Sequence, residues 1–220
     1  MSVVLHEMAH SPFCIPIAQA LTACGVEFQR REIPNWDRRE LLRLTGGAYY
    51  AVPLLQHDDL MIYESGANSQ DVARYVDVTF AQGSLFPPAL DGLQAIVIEF
   101  IENEIEDRTF KLVDIHYVPA IAEVAERGMV VRHKERRFGR GCVEQWRRNA
   151  AAIRADADRL LERFEITLRH SRFLFGEQPV YADFALLGII GNLTFRGYNQ
   201  LGQTQQELAR WVELMNGVRL

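Results

Sequence analysis

Several things are scarce in this chain, and each scarcity excludes a class of protein. It has three cysteines in 220 residues, Cys14, Cys24 and Cys142, an odd number at irregular spacing. That argues against a disulfide framework and against a structural zinc site, and it makes the cytoplasm the expected location. No metal site is expected. No run of apolar residues is long enough to span a bilayer, so no membrane partner is expected. The first eight residues carry His6 and Glu7 and lack a basic start followed by an apolar core, so no secretory signal is expected. Positive charge is not in excess: 24 Lys and Arg against 29 Asp and Glu leave a net charge of −5, which speaks against general nucleic-acid binding.

Hydrophobic residues, by contrast, are plentiful at 48%, enough for one or two packed cores. Residues 2–8 read as a short strand, closed by His10 and Ser11. Pro12 suits a first helical turn, and the helix after it ends at Gly25. Residues 26–33 alternate weakly, as in a second strand. Residues 36–44 form a short amphipathic helix stopped by Gly46 and Gly47. The apolar runs 52–55 and 60–63, separated by His57, Asp58 and Asp59, read as a hairpin, and helical spacing returns at Val72, Tyr75 and Val76. The order is β-α-β-α-β-β-α within residues 1–80. A linker rich in Gly, Ser and Pro occupies 81–89. From 90 to 220 the patterns are helical: one long helix through Ile96, Phe100, Ile105 and Phe110, further helices over 121–131 and 142–168, a helix at 184–193 apolar nearly all round and therefore central, and a last amphipathic stripe on Leu208, Trp211, Val212 and Met215.

Three local features carry chemistry. Ser11-Pro12-Phe13-Cys14 joins a strand end to a helix start, where free N–H groups and a partial positive charge favour a thiolate. If the thiolate belongs to a bound molecule, Ser11 can donate its hydroxyl hydrogen to it; taken alone, the segment reads more simply as an ordinary cap. Val52-Pro53 opens a strand with a residue unable to donate a ladder hydrogen bond. Glu64-Ser65 closes a strand just before a helix, where a carboxylate can dock.

In this order and spacing the three features resemble the cytosolic glutathione transferase superfamily, among its members with a Ser/Cys motif. The resemblance extends over most of the chain, including residues 176–183 (GEQPVYAD) ahead of the apolar helix, while residues 138–148 (FGRGCVEQWRR) resemble a bacterial branch. It implies a thioredoxin-like α/β domain over 1–80 and an all-helical domain over 90–220. It implies glutathione as co-substrate, with Ser11 and Cys14 as the catalytic candidates and Phe13, Val52, Pro53, Glu64 and Ser65 as its binding residues. Pro53 would be cis, and Asn68-Ser69 is the alternative to Glu64-Ser65. A homodimer is implied, in which Glu99, Glu102, Glu104, Glu106 and Asp107 would face a partner's basic groups. The expected reaction joins glutathione to a small-molecule electrophile. The alternatives are a glutathione-dependent thiol-disulfide reductase using Cys14 and a non-catalytic protein-binding scaffold.

The departures from that pattern are informative. No Tyr ends the first strand. Tyr50 and Ala51 stand where a basic residue often precedes the Val-Pro pair, leaving Arg38, Arg39 or Arg43 to meet a glycine carboxylate. Val180 stands where a capping Ser or Thr is usual, so Val180→Thr is expected to stabilise the fold unless Val180 is packed. His10 is either a loop residue or an aid to the thiolate. Trp146, Tyr117 and Phe138 read as core, or else as an apolar pocket for the electrophile. Arg132, His133, Lys134, Arg136, Arg137 and Arg140 form a basic run that reads as a solvated face, or else lines a cleft for an anionic second substrate.

Overall fold

A computed structural model describes residues 2–66 and 69–220. Strand β1 (Val3–Glu7) sits inside a four-stranded sheet of order β2-β1-β3-β4. It pairs in parallel with β2 (Gln29–Glu32) and antiparallel with β3 (Leu54–His57), which pairs in turn with β4 (Leu60–Tyr63). The parallel pair needs a crossover, and α1 (Cys14–Ala23) supplies it. The β3–β4 hairpin turns on Asp58 and Asp59; Asp58 takes a positive φ of 50°, which aspartate tolerates better than most residues. β2 is an edge strand whose Gln29-Arg30-Arg31-Glu32 is exposed throughout, a charged edge that resists further pairing. Helices α2 (Arg39–Leu44) and α3 (Asp71–Phe80) complete the first half. This is a thioredoxin-like α/β unit, as the resemblance implies.

The second half is helical: α4 (Asp91–Glu99), α5 (Glu106–Ala120), α6 (Val124–Phe138), α7 (Cys142–Arg148), α8 (Ala150–Leu168), α9 (Tyr181–Leu193) and α10 (Gln206–Asn216). None of these is long and apolar enough to cross a membrane. The long helix expected around Phe100 is interrupted: residues Phe100–Ile105 form a π turn between α4 and α5. The extra residue rotates α5 by roughly 100° relative to a continuous α-helix. This changes the place of the acidic residues. Glu102 accepts a hydrogen bond from Gln70 (2.8 Å), and Glu106 faces an internal cleft. Glu104 pairs with Arg108 (3.1 Å) and Asp107 with Lys111 (2.8 Å) on their own helix, so of the five acids only Glu99 lies exposed without such a contact.

Helix α9 is the centre of the molecule. Its side chains are buried on every face, and it packs against α1 of the first half and against α4, α5 and α10. One continuous core therefore runs from Leu5 and Ile17 to Phe184 and Trp211. The first turn of α9 is held by the chain around it. Tyr181 N–H donates to the Leu85 carbonyl (2.9 Å), Ala182 N–H to Gln94 Oε1 (3.1 Å) and Asp183 N–H to the Val180 carbonyl (2.9 Å). The Asp183 carboxylate accepts from the N–H groups of Val180 (3.0 Å) and Leu174 (2.9 Å). Burial pushes the Asp183 carboxyl up to about 6, with these hydrogen bonds opposing it.

This reverses the expectation for position 180. The donor that a Thr hydroxyl would serve is already bonded, and Val180 is 3% exposed. Val180→Thr would exchange a packed methyl for a buried hydroxyl, so it is expected to lower stability by about 1–2 kcal/mol. A urea midpoint below that of wild type at equal slope is the expected result; a rise would restore the capping account.

Candidate functional site

The loop leaving β1 turns back at Ser11, whose N–H donates to the Met8 carbonyl (2.8 Å). The Ser11 carbonyl accepts from Cys14 and Ile15 N–H (both 3.1 Å), which starts α1. Its hydroxyl oxygen accepts from Phe13 N–H (3.3 Å). The ordinary cap reading of Ser11 is thus present in part. Because the oxygen takes a backbone hydrogen as acceptor, the hydroxyl hydrogen is left for one further partner, either the Cys14 sulfur beneath the loop or a molecule in the cleft. Asn192 of α9 donates from Nδ2 to the His10 carbonyl (2.5 Å) and ties this loop to the central helix.

Two cavities meet here. The larger, about 560 Å³, is a cleft between the β1–α1 loop and helices α5 and α6. Ser11, Pro12, Phe13 and Val52 form one wall; Glu106, Phe110, His133, Lys134, Arg137 and Phe138 form the other. The smaller, about 340 Å³, is a groove edged by Phe13, Val52, Pro53, Glu64 and Ser65, with Tyr49, Gln70, Glu102 and Tyr181. Phe13, Tyr50, Ala51 and Val52 border both, so cleft and groove adjoin. Both volumes fall in the range of small-molecule sites, about 300–1,000 Å³. The Val52-Pro53 bond is cis, as the resemblance implies.

Of the residues expected to act, all but one border these spaces. The exception is Cys14, which is fully buried beneath the loop and clusters with Ile33, Leu41, Val52 and Leu54. Desolvation pushes its thiol up to about 12, against a hydrogen bond from Ser11 that acts to lower it. At neutral pH it is a protonated packing residue.

Glu64 is engaged by its own chain. Its carboxylate accepts from Asp71 N–H (2.8 Å), Val72 N–H (3.3 Å) and the Ser69 hydroxyl (2.6 Å), and so caps α3. Burial raises its pKa, while these bonds act to lower it. Ser65 N–H donates to Asp71 Oδ2 (2.7 Å). Glu64, Ser65, Ser69 and Asp71 thus form one network at the start of α3. Asn68, the other half of the alternative pair, lies outside the described residues. Glu102, which the helical pattern assigns to an interface, enters the groove beside this network instead, and burial pushes its carboxyl up to about 7. The one sequence sign of its position is the four-residue spacing of Glu102 and Glu106, which keeps one helical face in register with both cavities.

Among the three arginines considered for a carboxylate, Arg39 is paired with Asp37 (2.5 Å) and Arg43 is exposed. Arg38 lines the cleft. It donates to Asn35 Oδ1 (3.2 Å), and its Nη1 is buried with no hydrogen-bond partner among the described residues. His10 lies against Tyr117, with ring centroids 4.3 Å apart. Burial, with Lys134, Arg196 and Arg38 nearby, pushes its imidazole down to about 4, so it is neutral at pH 7 and supplies no positive charge to a thiolate. Both readings of the basic run are present: Arg132, His133, Arg136, Arg137 and Arg140 are exposed, as on a solvated face, and His133, Lys134, Arg136 and Arg137 also line the cleft. Trp146 packs edge-on to Phe110 (5.4 Å) and Phe138 (5.3 Å) in a separate small core, as the simpler reading of that residue has it.

The family model for the glutathione S-transferase N-terminal domain matches residues 5–82, and that for the C-terminal domain matches residues 144–217. Glutathione S-transferase U28 of Arabidopsis thaliana is 32% identical over 87 residues, which are 40% of this chain and only 37% of the relative's length. Among solved structures, glutathione transferase GSTFuA3 from Phanerochaete chrysosporium superposes with a TM-score of 0.78 at 13% identity, over 98% of this chain and 96% of its own. A theta class glutathione S-transferase from Xanthomonas axonopodis pv. citri, solved with glutathione bound, superposes with a TM-score of 0.64 at 17% identity, over 97% of this chain and 91% of its own. At such identities the superpositions speak for the fold alone.

Proposed function

Since this chain belongs to the glutathione transferase superfamily, we propose that it is an enzyme that binds glutathione, holds it as the thiolate and directs it at an electrophilic small molecule. The observation that carries this reading is the meeting of groove and cleft at Phe13 and Val52, with Ser11 on the wall beside them. In this reading residues 1–80 hold glutathione, residues 90–220 supply the far wall of the cleft, and 81–89 join them. The peptide lies in the groove along Val52 and Pro53, with its γ-glutamyl end at Glu64 and Ser65. Its thiol loses a proton to solvent, and the Ser11 hydroxyl donates a hydrogen bond to the resulting sulfur anion. The start of α1 adds its partial positive charge. The thiolate then attacks an electrophile held in the cleft; proximity and the lowered thiol pKa supply the rate gain. The burial and protonation of Cys14 speak against a reductase that attacks with that residue.

Retention on immobilised glutathione, followed by turnover of a generic aryl halide and of a mixed disulfide, tests the proposal. Retention with conjugation is expected. Disulfide turnover lost on replacing Cys14 would favour the reductase, and neither retention nor turnover would favour a scaffold.

We also propose a homodimer working in the cytoplasm. Its support is the exposed apolar set on α3 and α4, Val78, Leu93 and Ile96, rather than the acidic residues of the following turns. Light scattering should give twice 25.2 kDa; the mass of one chain would refute the dimer.

A further inference from the structure

The cleft is unusual for a space meant to receive an apolar electrophile. Arg38, Lys134, Arg136 and Arg137 all line it, in a chain whose net charge is −5. Only two carboxylates among the described residues face them. Asp114 is taken by Lys134 at 2.5 Å. Glu106 is half-buried, and removal from water pushes its carboxyl up to about 7, so it offers less than a full negative charge at neutral pH. Arg38, Arg136 and Arg137 make no ion pair with any described residue; Arg137 instead lies over the Phe138 ring, 5.0 Å from its centroid. Phe110, under Lys134 at 5.0 Å, extends this aromatic surface. The wall opposite Ser11 thus combines flat apolar rings with guanidinium groups that lack a counter-charge. An arginine fork matches a carboxylate in two parallel hydrogen bonds, so such a wall suits an aromatic ring that carries a carboxylate.

Resting on the transferase reading above, we propose that the second substrate is an anionic aromatic electrophile, its ring against Phe110 and Phe138 and its carboxylate held by Arg136 and Arg137. Arg38, which lines the same cleft from the start of α2, is left for the glycine carboxylate of glutathione. With an aryl halide bearing a carboxylate, the sulfur anion forms a carbon–sulfur bond and the carbon–halogen bond breaks. Halide leaves with the bonding pair, and the proton given up by the thiol remains in solvent. The substrate's carboxylate takes no part in the bond changes; it fixes the ring so that the carbon bearing the halogen faces Ser11.

The test is a matched pair of substrates, a chloro-dinitrobenzoate and its methyl ester, each rate divided by the uncatalysed rate with glutathione. Wild type should prefer the acid in kcat/KM by about tenfold or more, the scale of a hydrogen-bonded charge pair. In the double variant Arg136→Gln, Arg137→Gln that preference should collapse towards one, chiefly through KM for the acid. Equal turnover of acid and ester by wild type, or a double variant that weakens glutathione instead of the acid, would overturn the proposal. If neither compound is turned over, the same acid without its chlorine serves as an unreactive probe, with quenching of tryptophan fluorescence as the readout. Saturable binding lost in the double variant would uphold the anion site while removing the transferase reading. No binding to wild type would remove the anion site.

Discussion

Replacing Gly188 by alanine is expected to be the most damaging single change to fold and activity together. Gly188 lies in α9 where that helix meets α1, and a Cβ built there falls 2.2 Å from the Pro12 carbonyl oxygen and 2.6 Å from Pro16 Cδ. Neither neighbour is the end of a flexible side chain: one is backbone, the other a proline ring. The loop or the helix must shift, and overpacking of this kind costs about 1–3 kcal/mol, occasionally more. The helix-propensity gain of alanine over glycine, about 1 kcal/mol, offsets part of that. A net loss near 2 kcal/mol is the expected result, a large share of the roughly 5–15 kcal/mol that holds a domain folded.

The functional loss should be larger still, because Pro12 adjoins Ser11 and a displacement of about 1 Å can cost a hundredfold in rate. Gly191→Ala is the control. Its new Cβ would meet only the Ile15 side chain, at 3.2 and 3.4 Å, and that side chain can move. Urea midpoints of the two variants, with kcat/KM measured where both are folded, separate the cases. If Gly188→Ala matches Gly191→Ala in both readouts, the close approach of α9 does not control the catalytic loop.

Much of this architecture is legible in the sequence because its local signals agree with its packing. Pro12 and Gly25 bracket α1, Gly46 and Gly47 come just after α2, and the pair Asp58-Asp59 sits between two apolar runs. The run from Phe184 to Leu193 is apolar on all sides, and the helix it forms is buried on all sides. The π turn at Phe100–Ile105 is not legible. A helix that gains one residue keeps the same apolar composition, and Ile101 and Ile105 remain buried at ordinary helical spacing. Only the phase of the helix from the turn onward changes, and with it Glu106 of α5, which reads as facing a partner, lies in the cleft, while Glu102 within the turn lies in the groove.

The expectation at position 180 fails for a related reason. The donor that a hydroxyl at 180 would serve, Asp183 N–H, is taken by the Val180 carbonyl, and Val180 itself is packed; the neighbouring N–H groups are taken by Leu85 and Gln94, far away in the chain, and no local motif announces that packing. The candidate site divides the same way. Ser11, Val52-Pro53 and Glu64-Ser65 are visible as three weak signals made meaningful by their order. The placing of Lys134, Arg136 and Arg137 on one cleft with Ser11 depends on how α6 packs against α5 and α7, and the charge pattern of the run fits a solvated face equally well.

The second large effect concerns which residue of Ser11-Pro12-Phe13-Cys14 serves the sulfur. Ser11→Ala is expected to lower conjugation at neutral pH by about 10- to 100-fold, the loss of one hydrogen bond to a charged group at about 1.5–3 kcal/mol. The hydroxyl favours the thiolate over the thiol, so its removal raises the pKa of bound glutathione, by about 1–2 units on the same energy scale. The rising limb of the rate–pH profile should therefore move to higher pH, and part of the lost rate should return above it. A merely structural role, capping Phe13 N–H, would lower stability without moving that limb. Cys14→Ala should show the opposite pattern. Cys14 is fully buried in a small apolar cluster, so truncation leaves a void and costs about 1 kcal/mol of stability. Its thiol, held up near 12, has no charge to lend at neutral pH, so conjugation per folded molecule should stay close to wild type. Thiolate absorbance of the bound glutathione, titrated in both variants, reads the pKa directly. A shift in Cys14→Ala and none in Ser11→Ala would move the chemistry from the hydroxyl to the buried thiol.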